Sequence, residues 1–181
     1  MKNILLVLTI ASLMVCCDKD NYIDSGIHEQ KHDCTVWEYF HTDRANWDSL
    51  IVMIEHAGMI KYFDGTNKDE ITILAPTNHS INQYLFQTLD DNGERLHEKV
   101  TDIPADECRE MLLSYMIHGK KFLEDFDHEV KGTQTGGTME QALSGIHLRV
   151  YRITSSFYDI PDLGAEKLAF QAPDGYIGTV A

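Results

Sequence analysis

The chain has 181 residues, 24% of them charged, and its 29 acidic against 15 basic side chains give a formal charge of −14 at pH 7. A surplus of that sign repels nucleic-acid phosphates and anionic lipid headgroups, which excludes both as partners held by charge and leaves cations, basic proteins and neutral glycans. No stretch is repeated or of low complexity, and the length suits one domain with one core.

Met1, Lys2 and Asn3 lead into an apolar run from Ile4 to Val15. A membrane-spanning helix needs about 20 apolar residues, so this shorter run reads as a secretory signal set apart from the folded domain. It ends in Leu13-Met14-Val15-Cys16-Cys17-Asp18-Lys19-Asp20, which resembles a bacterial lipoprotein signal whose cysteine is lipidated and becomes the new N-terminus. Cys17 is the expected modified residue, with Cys16 the alternative. Residues 1–17 are then the signal, 18–34 a polar tether, and 35–181 the domain. An attached lipid contributes about 0.8 kcal/mol per buried methylene, and two or three chains hold a protein stably on a membrane. Loss of Lys2 with the signal leaves the mature chain one unit more acidic.

Of the remaining cysteines, Cys34 and Cys108, an exported compartment permits a bridge. Spacing alone does not bring their Cα atoms within bonding range, so a disulfide and two free, partly buried thiols both stay open. The tether holds His28 and His32 four apart, a spacing that presents two imidazoles to one ligand only on a helix. A solvated linker accounts for the same residues, and no metal is expected.

Thr35 can cap a helix containing Val36, Trp37, Tyr39 and Phe40. A second helix fits Ala45 to His56, with Asp43 as its cap and Trp47, Leu50, Ile51 and Ile54 on one face. Gly58 ends it, because glycine enters the left-handed conformation without a steric penalty. Ile71 to Leu74 reads as a short buried strand stopped by Pro76, which cannot donate to a ladder. Thr77 or Asn78 then caps a helix with Ile81, Leu85 and Leu89 on its apolar face. Asp90-Asp91-Asn92-Gly93 marks a loop, and Pro104 suits the first position of a helix through Met111, Leu112 and Tyr115. Beyond Gly119 glycines punctuate short segments. His147 to Thr154 alternates as a strand, Leu168 and Phe170 belong to another, and Asp174-Gly175 turns the chain before Tyr176. Helices early and strands late predict an α+β domain.

Trp47-Asp-Ser-Leu50 through Ile54-Glu-His-Ala57-Gly58-Met59, then Ile71-Thr-Ile-Leu-Ala75-Pro76-Thr77-Asn78, then Met111-Leu-Leu-Ser-Tyr115 together resemble a fasciclin domain over about residues 35–181. The later region, with Thr135-Gly136 and Tyr158-Asp-Ile-Pro-Asp-Leu-Gly164, is similar to variants in exported lipoproteins of Bacteroidetes-like bacteria. The resemblance implies helices packed on a small β-sandwich or wedge, with Gly58, Ala75, Pro76, Thr77, Asn78 and Tyr115 as structural motif residues. It implies no shared catalytic centre and no cofactor, and a binding or adhesion module recognising an extracellular protein or glycan. With the acidic Asp18-Lys19-Asp20 start, it places the chain on the outer membrane at the cell surface.

Two departures stand out. The family's Tyr-His dipeptide, linked in some members to adhesion receptors, is replaced here, because Tyr115 is followed by Met116 and His118 lies further on. The family's closing Asn-Gly turn and final buried strand also lack a counterpart before Ala181, which predicts a truncated product or a protein completed by another segment, marginally stable alone. No Gly-x-Ser-x-Gly elbow, phosphate-cradling loop or His-Glu-x-x-His helix is present. Three readings follow: a surface binding module; a structural envelope protein that takes a partner's strand; or an accessory glycan hydrolase, needing two carboxylates about 5 to 10 Å apart. Asp125 and Asp127 are a pair of the kind that an acidic chain makes by chance. Phe157, Tyr158 and Tyr176 are the aromatics available to stack on sugars, whereas Trp37 and Trp47 sit at core spacing.

Overall fold

A computed structural model describes residues 32–158, 160–161 and 164–180. The signal, the lipidation of Cys17 or Cys16, His28 and most of the tether lie outside the described residues.

The first helix, α1 (Val36–Thr42), starts where expected. The Thr35 hydroxyl accepts from Glu38 N–H and the Glu38 carboxylate accepts from Thr35 N–H, so two backbone donors that lack helical partners are satisfied. The next helix, α2 (Arg44–His56), is capped by Asp43, whose carboxylate accepts from Asn46 N–H at 3.3 Å. Leu50, Ile51, Met53 and Ile54 recur at helical spacing and are all buried. Gly58 stands at φ +67 and closes the end: its N–H reaches Glu55 O at 3.0 Å, and Met59 N–H reaches Ile54 O at 3.0 Å. These are the paired bonds of a left-handed helix stop, with the buried Met59 and Ile54 as its apolar contact.

Strand β1 (Ile71–Ile73) pairs antiparallel with β2 (Met116–His118). The expected buried strand is half-buried over these three residues, and full burial begins at Leu74 beyond them. Helix α3 (Asn78–Gln87) buries Ile81 and Leu85. Leu89 departs from the expectation: it lies past the helix end, 51% exposed. Thr88 turns the backbone extended at φ −83, ψ 103, so the four-residue period does not continue. Helix α4 (Ala105–Ser114) follows Pro104 directly, one residue later than predicted, and Tyr115 terminates it. The four helices among the described residues share a core around Leu50, Ile54, Ile81, Leu85 and Leu112, against which Trp37 and Trp47 pack half-buried.

The C-terminal half is a sheet of four antiparallel strands in the order β5 (Thr138–Gln141), β6 (His147–Thr154), β7 (Glu166–Gln171), β8 (Ile177–Val180). A small hairpin, β3 (Glu129–Val130) with β4 (Thr135–Gly136), precedes it. Predicted bounds and observed bounds agree for β6. Tyr151, however, is buried as well as Leu148 and Val150, so simple alternation fails there. Its face is covered because Gly137 packs its backbone on Tyr151 and the Arg149 guanidinium sits 4.1 Å from the ring centroid. Leu74, Ile117, Phe126, Leu148, Val150 and Phe170 form a second core on the opposite face. Leu143 N–H donates to Met116 O at 2.8 Å and Ile117 bridges Ala142, which joins the β1–β2 pair to the end of β5.

The α+β class is therefore observed. Strand β8 pairs with β7 through Leu168–Val180 to Gln171–Ile177, and among the described residues no strand pairs with its other edge. Among the described residues there is no disulfide, and of the two alternatives the free thiols are found. Cys34 is an exposed thiol before α1, and Cys108 is a buried one inside α4, whose ionisation burial pushes up from the ordinary thiol range.

Candidate functional site

β1 ends at Ile73 and α3 begins at Asn78, capped by Thr77, so the four residues around Pro76 carry the chain from strand to helix beside a concave surface. On the far side the hairpin of β7 and β8 is set by Gly175 at φ +88, with Asp174 accepting from Tyr176 N–H at 3.0 Å. Two cavities, of about 320 and 210 Å³, lie between these elements and meet at Pro76, Ser80, Tyr115 and Tyr176, which line both. The larger runs along α3 past Gln83, Tyr84 and Gln87, with Met53 and Leu112 below. The smaller runs between Leu74–Pro76 and β8.

Three aromatic rings build the junction. Tyr115 meets Phe170 edge to face at 5.7 Å, and Tyr176 follows at 6.2 Å from Phe170. Phe170 lies across Gly178, its cross-strand partner; a Cβ there would stand 2.4 Å from Cζ of the ring. Burial holds the Tyr115 phenol above its ordinary pKa, with smaller contributions from Tyr176 and Asp174. Tyr84 donates to Glu107 at 3.1 Å, and burial followed by that carboxylate raises its pKa too. Both phenols stay protonated at neutral pH and can donate or accept.

The motif residues divide. Pro76 and Ala75 line the groove, and Tyr115 forms its floor. Thr77 is the cap of α3, its hydroxyl accepting from Ser80 N–H at 3.4 Å. Asn78 does something else: its amide donates to Ala45 O at 2.7 Å and Arg44 O at 3.1 Å, and accepts from Ser49 N–H at 2.7 Å. It thus ties the start of α3 to the start of α2. Gly58 lies away from the groove, at the end of α2, within 3.8 Å of the Arg109 guanidinium for a Cβ placed there. Cys34 and Cys108 line neither cavity.

Of the aromatics predicted to be available for stacking, Tyr176 is in the groove and 54% exposed. Phe157 and Tyr158 form an edge-to-face pair on the β6–β7 connection, outside the groove lining. The Asp125 carboxylate accepts from Phe122 N–H in its own turn, while Asp127 N–H is held by the Thr138 hydroxyl. The groove itself is lined by one carboxylate, Asp174, where paired-carboxylate hydrolysis requires two. Among the described residues no cluster of three His, Cys, Asp or Glu side chains is arranged for a metal. Tyr84, Phe170, Gly178 and the strand β8 were not foreseen as parts of a site, although extending the Asp174-Gly175 turn as a hairpin would have paired Phe170 with Gly178. The groove combines an apolar floor, a rim of amides and phenols, and a strand edge that is unpaired among the described residues. No model of a known protein family matches the chain, and no curated protein does.

Proposed function

We propose that the chain is a non-catalytic binding module of the fasciclin type, carried outside the cell on a lipid attached at Cys17, or at Cys16, and that the groove between α3 and β8 receives an extracellular protein or glycan. The observation that carries the reading is the groove's position and make-up: it opens at the Ala75-Pro76 turn that bears the family resemblance, and aromatic and amide side chains line it. Its volume reaches the lower end of the range for ligand sites, about 300 to 1,000 Å³.

The mature chain probed against an array of glycans and extracellular proteins is expected to retain ligands, and Tyr176→Ala is expected to lose them. Truncating a central aromatic anchor costs about 2 kcal/mol or more, roughly a thirtyfold loss of affinity. Tyr176 is more than half exposed, so its loss should leave stability within about 1 kcal/mol of the parent. Binding that survives Tyr176→Ala but disappears in a Phe157→Ala, Tyr158→Ala double variant would move the site to the β6–β7 connection and refute the groove.

A further inference from the structure

We infer that the groove's ligand is an extended polypeptide segment of another protein, which adds as a strand along β8. The inference rests on the groove being the binding site, and it selects protein over glycan.

Among the described residues strand β8 pairs on one side only, with β7, and an edge strand turns the N–H and C=O of every second residue away from its partner, here towards the smaller cavity that β8 lines. The opposite wall is the run Leu74 to Pro76, which follows β1. Among the described residues its one backbone bond is from Leu74 N–H to Tyr115 O at 2.8 Å. The same cavity therefore separates this run from the edge of β8, with Leu74, Tyr115 and Phe170 at its floor.

A strand laid in this slot would hydrogen-bond to β8 and turn alternate side chains onto the floor. Pro76 has no N–H and cannot donate, so β8 supplies most of the pairing. Four residues of β8 span about 13 Å, which sets a contact of roughly four to five ligand residues. A glycan would use side-chain amides and carboxylates on both walls, but here one wall is a strand edge.

Charge chooses the flanks of the segment. No lysine, arginine or histidine lines either cavity, the one charged lining residue is Asp174, and Glu107 stands beside the rim through Tyr84. The whole chain carries −14. A strand with apolar residues at alternate positions and lysine or arginine at its ends complements that rim.

The test is a library of capped octapeptides that alternate Val, Ile, Leu or Phe with Thr between terminal lysines, titrated into the mature chain. Binders with micromolar Kd are expected, weakened at least tenfold by N-methylation of the backbone edge facing β8 and several-fold by replacing both lysines with glutamates. Tyr176→Ala should weaken the same peptides. Equal affinity of parent and N-methylated peptides would overturn the inference, and so would a library without binders. If glycans on the array are still lost with Tyr176→Ala, the groove stands and the strand falls. If no ligand of either class depends on Tyr176, both fall together.

Discussion

Replacing Asn78 with alanine is expected to cost about 2 kcal/mol, and to lower the melting temperature by about 4–8 °C. The side chain makes three bonds to α2 across 29 to 34 residues of sequence. Each neutral hydrogen bond contributes about 0.5–1.5 kcal/mol net, and the partial exposure of two of the three keeps the sum near the lower end. Thr77→Ala removes a single cap bond, long at 3.4 Å, and should cost no more than about 1 kcal/mol. Urea titration of both variants checks the order. If Thr77→Ala proved the more damaging, Asn78 would not be the tie between the two helices.

Gly137→Ala is expected to be worse still, at about 2–5 kcal/mol. Gly137 sits at φ +78, and a Cβ would stand 2.6 Å from Tyr151 Cβ and 2.8 Å from Val150 O. Left-handed backbone costs a residue with a side chain about 1–2 kcal/mol, and forcing backbone apart in a packed region adds about 1–3 kcal/mol. Gly145, at φ +90 with nothing within 4 Å of its would-be Cβ, separates the two contributions. Gly145→Ala should show only the conformational cost, so equal midpoints in denaturant for the two variants would contradict the close packing of β4 and β5 on Tyr151.

The helical half was legible because its signals are local. Thr35 before α1, Asp43 before α2 and Gly58 after it each act within a few residues, and each is found in the expected role. The period of Leu50, Ile51 and Ile54 is likewise a property of one helix. What the sequence left open depends on distant partners. Thr77 and Asn78 were equal candidates for the cap, and only the approach of α2 assigns Asn78 to another task. Tyr151 is buried by Gly137, fourteen residues earlier, which no strand period encodes. The run Ile177–Val180 is too short and too rich in small residues to read as a strand, and it becomes one by pairing with β7. The groove was hidden for the same reason: its floor comes from β7 and the end of α4, and its walls from α3 and β8.

Amide hydrogen exchange, followed by peptide mass in the mature chain with and without the tightest octapeptide binder, tests the binding groove most directly. In the free protein the β8 amides that face away from β7 should exchange fast, because an edge strand gives them no partner. With ligand bound, slowing of at least tenfold is expected for the amides of 177–180 that face away from β7, and nowhere on the β6–β7 connection. Protection centred on Phe157 and Tyr158, with β8 exchanging as fast as before, would contradict the account.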